Sequence, residues 1–154
     1  MRLGARYSPA CKEFMRFFFA EYQIPVILYA VPRTRILVVE DNDDLRRIFR
    51  TALSVAGYVV EQAADGIDAL RLIDNNPPDL VVLDLMLRAL DGLSVQQELA
   101  ARAITRNIPI VIVTGSEIEL ADVNIACVLR KPVMPDQLVR TVRHCLTHGL
   151  TSGV

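Results

Sequence analysis

The stretch Asp79-Leu80-Val81-Val82-Leu83-Asp84-Leu85-Met86-Leu87-Arg88-Ala89-Leu90-Asp91-Gly92 decides how the rest of the chain is read. Leu80 to Leu83 is a short run of β-branched and aliphatic residues. An amphipathic strand alternates polar and apolar positions, whereas this run is apolar throughout, so it reads as a parallel strand buried on both faces. It ends in a carboxylate, Asp84. In open α/β sheets ligands bind in the crevice outside the carboxyl ends of the strands, so Asp84 marks where chemistry is expected.

Working outward, a strand and helix alternation runs from Ile36 to the end of the chain. Ile36 to Val39 forms a first strand, closed by Glu40 and Asp41. Asn42 or Asp43 caps a helix through about Ala56, with Leu45, Ile48, Phe49, Ala52 and Leu53 facing inward and Gly57 as its stop. Tyr58 to Glu61 is a second strand. Ala64 or Asp65 opens a helix over Gly66–Asp74, with Ile67, Leu70 and Ile73 as its apolar stripe, and Asn75-Asn76-Pro77-Pro78 breaks it. After the opening stretch, a helix runs from Gly92 to about Arg102. Ile108 to Thr114 is a fourth buried strand, 117–122 has room for one or two helical turns, and Ala126 to Leu129 is a fifth strand ending at Arg130-Lys131-Pro132. Pro135 starts a last helix through His144. Five strands alternating with helices predict a parallel sheet with right-handed crossovers and helices on both faces.

Composition narrows the class. The 154 residues are 52% hydrophobic and 23% charged, with net charge −1, which describes a globular domain and gives no field that would draw nucleic acid. Cys11, Cys127 and Cys145 are scattered, show no metal-ligand spacing, and read as ordinary thiols in a reducing cytoplasm. His144 and His148, four apart, read as a surface pair with no converging ligand. Residues 1–33 form an extension of different character. Phe14 to Ala30 is apolar but broken by Arg16, Glu21 and Pro25, which is too interrupted for a membrane span or a signal peptide. Two readings stand side by side: an upstream addition to a chain that naturally starts near Val31, or a helix over Pro9–Tyr22 that covers a hydrophobic face or a second copy. The domain itself is assigned to 34–148, and 149–154 to a tail.

The polar residues at the strand ends are Glu40, Asp41, Asp84, Thr114 and Lys131. In a parallel sheet these ends share one edge. Three carboxylates gathered there repel one another unless a cation compensates, and Mg²⁺ with oxygen ligands is the usual solution. Lys131 offers a point charge for phosphate oxygens and Thr114 one directional donor. A carboxylate nucleophile, a metal and positive charge on the equatorial oxygens are what phosphoryl transfer requires.

With these residues in order, 35–147 resembles the receiver domain of two-component response regulators. The motifs that carry the likeness are Ile36-Leu37-Val38-Val39-Glu40-Asp41-Asn42, Leu83-Asp84 with Asp91-Gly92 following, Val113-Thr114-Gly115, and Lys131-Pro132. The resemblance implies a flavodoxin-like sheet of strand order 2-1-3-4-5. It implies that Asp84 accepts a phosphoryl group from a sensor histidine kinase or a histidine phosphotransfer protein. It implies Mg²⁺ held by Asp41 directly, by Glu40 through water, by Asp84 and by the backbone carbonyl of Met86. Lys131 would pair with the phosphoryl group, and movement of Thr114 onto it would switch binding of a downstream target protein. Such a receiver catalyses its own phosphorylation and dephosphorylation without being chiefly an enzyme. It is expected to be cytoplasmic, to have no direct nucleic-acid contact and no membrane insertion, and a homodimer is among the arrangements the family allows.

The chain also departs from the family. Arg88 replaces a proline four residues after Asp84, which should loosen that loop and bring an arginine to the site mouth. Val128 stands where an aromatic switch residue is common. Only sixteen residues separate Thr114 from Lys131, so the intervening helix should be shortened, with the 117–125 segment itself carrying the signal. With no output domain read after residue 148, a stand-alone receiver is expected. The alternative reading is a receiver-like interaction module that is not phosphorylated. A phosphatase of similar fold would want a second carboxylate two residues after the nucleophile, where Met86 stands.

Overall fold

The computed structural model describes residues 34–115 and 125–148. The expectations for residues 1–33, for the segment 116–124 and for the tail after 148 lie outside the described residues.

The elements are β1 (Arg35–Val39), α1 (Asp43–Val55), β2 (Val59–Ala63), α2 (Gly66–Asn75), β3 (Leu80–Asp84), α3 (Gly92–Ala101), β4 (Ile110–Thr114), β5 (Ile125–Arg130) and α4 (Pro135–His148). The five strands are all parallel and lie in the order β2-β1-β3-β4-β5, as expected. The continuous apolar strands are explained by helices on both faces. Ile36 and Val38 point to one side with Leu80, Val82, Val111 and Val113, where α1 supplies Phe49 and Leu53 and α4 supplies Leu138 and Val142. Leu37 and Val39 point to the other side with Val81, Leu83 and Ile112, where α2 supplies Ala69 and Ile73 and α3 supplies Val95 and Leu99. Each large side chain so enclosed contributes about 1.5–3 kcal/mol by leaving water.

Several sequence expectations are corrected. Ile48 is 48% exposed and Ile67 63% exposed, so neither belongs to an inner stripe. The buried stripe of α2 is Gly66, Ala69 and Ile73. An apolar residue beside the true stripe is indistinguishable from a member of it by period alone. β2 begins and ends later than read, because its pairing with Arg35 to Val39 fixes the register at Val59 to Ala63. β4 starts at Ile110 rather than Ile108, and α4 continues past His144 to His148.

Three helices are capped in the same way, on the edge where the strands end. The side chains of Asn42, Asp65 and Asp91 accept from the amides of Leu45, Asp68 and Ser94 at 2.9, 2.8 and 2.9 Å. Each cap satisfies an amide that the helix leaves open, worth about 1 kcal/mol.

Candidate functional site

Asp84 is the last residue of β3 and Thr114 the last of β4, and Glu40 follows β1 directly. All three are buried among otherwise apolar side chains, at 3%, 1% and 1% exposure. A buried carboxylate needs partners, and the loops supply them. Lys131 Nζ, just beyond β5, donates to Asp84 Oδ2 at 2.7 Å and to Glu40 Oε2 at 2.8 Å. The Met86 amide donates to Asp84 Oδ1 at 2.9 Å, and the Asn42 amide to Glu40 Oε1 at 3.2 Å. Both oxygens of both carboxylates are therefore held. Arg46 reaches back from α1 to the Glu40 carbonyl at 2.7 Å, tying the helix to the end of β1.

The position of Lys131 follows from the sheet. Thr114 lies opposite Arg130 in the β4–β5 ladder, and the Lys131 amide donates to the Thr114 carbonyl at 2.9 Å. The ladder thus continues one residue past the strand and aims the lysine side chain inward. The Lys131–Pro132 peptide is cis. On the opposite flank, Gly92 holds Asp84 from behind. Its amide donates to the Leu85 carbonyl at 3.2 Å, and a Cβ on Gly92 would sit 2.2 Å from the Asp84 carbonyl oxygen. No residue with a side chain fits there without moving the backbone at the end of β3.

Glu40, Asp41 and Asp84 each offer a carboxylate oxygen within 4.8 Å of the others. This donor set fits a hard divalent cation, since it is all oxygen and carries more negative charge than Lys131 neutralises. The electrostatics agree. Burial pushes the Glu40 carboxyl above its ordinary value, and the Asp84 charge adds to that, against the opposing pull of the Lys131 and Asn42 hydrogen bonds. Burial alone would lower the Lys131 ammonium, but its bonds to Asp84 and Glu40 outweigh this and raise it. The ammonium is thus locked in its charged form between two carboxylates.

Of the residues singled out in the sequence, Glu40, Asp84 and Lys131 are in direct contact, Asp41 joins the carboxylate cluster, and Thr114 closes the β4 side. Met86 enters through its amide, and its side chain is exposed. Arg88, expected near the mouth, pairs with Asp41: its Nε donates to Oδ2 at 3.2 Å. Above this pair opens a cleft of about 520 Å³, lined by Asp41, Asn42, Asp43, Asp44, Ala64, Asp65, Arg88 and Ala89. The amides of Met86 and Asn42 were missed in the sequence, because any residue type can supply an amide and no side-chain pattern reports it. Cys127 and Cys145 are free thiols, as read, but they touch in space, which their separation in sequence did not announce.

Known proteins resemble this chain over most of the described residues. The profile described as "Response regulator receiver domain" matches residues 36–143. A "Response regulator MprA" of Mycobacterium sp. (strain KMS) is 48% identical over 83 residues, covering 54% of this chain and 35% of that protein. A "Probable transcriptional regulator ycf27" of Porphyridium aerugineum is 37% identical over 124 residues, covering 74% of this chain and 48% of that protein. The chain thus spans between a third and a half of the length of these relatives. Among solved structures, a putative response regulator from Chloroflexus aurantiacus J-10-fl superposes with TM-score 0.68 at 29% identity, covering 75% of this chain and 98% of that one. Chemotaxis response regulator CheY4 of Vibrio cholerae does so with TM-score 0.68 at 25% identity, covering 73% and 98%.

Proposed function

The chain belongs to the response regulator receiver domain family of two-component signalling, and from that premise we propose that it is a phosphoacceptor whose Mg²⁺-dependent modification at Asp84 switches a protein partner. The observation that carries this reading is the contact of Lys131 Nζ with both Asp84 and Glu40, at 2.7 and 2.8 Å, with Asp41 completing the carboxylate cluster.

In this reading an Asp84 carboxylate oxygen attacks the phosphorus of a phosphohistidine on a kinase or phosphotransfer protein. The new bond is oxygen to phosphorus, the bond broken is nitrogen to phosphorus, and the imidazole leaves. Asp41, Asp84, the Met86 carbonyl and, through water, Glu40 would hold Mg²⁺, which when bound supplies positive charge for the transferring phosphoryl oxygens. Lys131 is already charged and within reach, so its ammonium shifts from carboxylate to phosphoryl oxygen without needing a proton. Thr114 donates its hydroxyl to the product, and the change at the end of β4 is what a partner reads. Hydrolysis at the same centre resets it, so the chain's catalysis is confined to its own modification.

The other reading is an interaction module that is not phosphorylated, and the Arg88–Asp41 pair favours it by occupying a metal-binding carboxylate. That pair is weak, however: the arginine is 86% exposed, and exposed ion pairs are worth about 0.2–1 kcal/mol. A divalent cation displaces it readily.

Intact-mass measurement after incubation with a small acyl phosphate and Mg²⁺ tests the proposal. The wild type is expected to gain one phosphoryl group, with none gained on Asp84→Asn or when the metal is chelated. An unmodified wild type, or a modified Asp84→Asn, would remove the phosphoacceptor reading.

A further inference from the structure

Cys127 lies on β5 and Cys145 on the inner face of α4. Their Sγ atoms are 2.7 Å apart, and both thiols are free. Sulfurs in direct contact are within reach of a disulfide once an oxidant removes two electrons from the pair. Neither cysteine takes part in the phosphoacceptor chemistry. Their environments differ: Cys145 is buried among Leu129, Leu138 and Val142, whereas Cys127 is half-buried at the sheet edge.

We infer that Cys127 and Cys145 form a redox-responsive site at which a peroxide converts the thiol pair into a disulfide that fastens β5 to α4. The two environments divide the roles. Burial pushes the Cys145 thiol up to about 12, and its hydrogen bond with Cys127 adds to this, so Cys145 is a poor first target for an oxidant. Cys127 is the more exposed of the two residues. Its thiolate attacks the peroxide oxygen, breaking the O–O bond and giving a Cys127 sulfenic acid and hydroxide. The Cys145 sulfur then displaces hydroxide from Cys127 Sγ, and its proton leaves with that oxygen as water. Two thiols and one hydrogen peroxide give one disulfide and two waters, the two electrons passing to the peroxide. Contact between the sulfurs makes the second step intramolecular, so it outruns further oxidation of Cys127. The new bond closes the chain between residues 127 and 145 and braces the strand that leads into Lys131.

The test uses the full chain carrying Cys11→Ser, so that only the internal pair can react. After hydrogen peroxide treatment and alkylation of remaining thiols under denaturing conditions, the expected monomer takes up no alkyl group and is two hydrogens lighter. Its thermal midpoint should rise on the order of 10 °C above the reduced form, as closing a loop of this length implies. Cys127→Ser in the same background, confirmed folded by circular dichroism, should show neither the mass loss nor the thermal shift. Two thiols still open to alkylation, a sulfinic acid at Cys127 with Cys145 intact, or a disulfide found only between two chains would each overturn the inference.

Discussion

Arg88 stands almost fully in solvent, yet its Nε donates to Asp41 Oδ2. A cation bound at the carboxylate cluster competes with that guanidinium for the same oxygen. Arg88→Ala is therefore expected to tighten Mg²⁺ binding, by at most about fivefold given the worth of an exposed pair. Titration calorimetry on wild type and variant checks this, and equal or weaker binding by the variant would mean the pair does not guard the site. Asp91 carries a different single-residue prediction. Bonds from the Ser94 amide and hydroxyl hold its carboxyl below the ordinary value. Its folded-state value is depressed, so its contribution is fully present above the unfolded value near 3.8 and is lost as pH falls through the lower folded one. Asp91→Ala should cost about 1 kcal/mol at neutral pH, with the gap from wild type closing as pH drops below 3.8, whereas Asp91→Asn keeps the cap without the pH dependence. Urea titrations across that window read both. At this scale the sequence was most informative for Asp84, Asp41, Thr114 and Lys131, since each follows from its place at a strand end. The partner of Arg88 was not readable. It depends on the path of the loop after β3, where Ala89 turns through a left-handed conformation at φ 64° that no glycine announces.

Elements are placed by backbone geometry that two glycines reveal in different ways. Gly92, the first residue of α3, lies so close to β3 that a Cβ would be 2.2 Å from the Asp84 carbonyl and 2.7 Å from Leu85 Cα. Gly57 ends α1 with φ 99° and has nothing near its missing Cβ. The first glycine is required by packing and the second only by conformation. Gly92→Ala is expected to destabilise by more than about 3 kcal/mol, because backbone must move, and to displace Asp84 as it does so. Gly57→Ala should cost about 1 kcal/mol, the strain of a left-handed alanine. Chemical denaturation separates the two, and a Gly92→Ala cost no larger than that of Gly57→Ala would mean that α3 shifts freely and does not brace the site. Helix and strand identities were legible throughout the described residues, because 3.6-residue stripes and unbroken apolar runs are strong signals. Element edges and stripe membership were not. Ile48 and Ile67 sit beside the buried stripes of α1 and α2, and only packing against the sheet decides that Phe49 and Ala69 go inside.

The whole molecule explains why these residues meet at all. From β1 the chain crosses to β2 on one side and then returns to place β3 on the other, so a crevice opens between the ends of β1 and β3. Asp41 follows the first of these strands and Asp84 ends the second, at the point where an open α/β sheet presents its ligand site. The βα alternation implied a parallel sheet and the family likeness its strand order, but the closeness of the carboxylates needed the structure. Folding brings Asp84 within 4.8 Å of the neighbouring pair Glu40 and Asp41, and Lys131 offsets only part of that negative charge, so a cation bound there would relieve the repulsion that remains. Binding to the folded state alone then raises stability by mass action. At a Mg²⁺ concentration tenfold above its dissociation constant the gain is about 1.4 kcal/mol, or a rise in thermal midpoint on the order of 5 °C. Asp41→Asn should abolish most of that rise while leaving a folded protein, because Asp41 lies at the partly exposed rim, whereas Glu40 and Asp84 are buried against Lys131. Scanning calorimetry with and without Mg²⁺ on both proteins measures the difference. A Mg²⁺-dependent rise that is equal in the two would place the cation elsewhere on the molecule, and with it the charge that the proposed phosphoryl transfer to Asp84 requires.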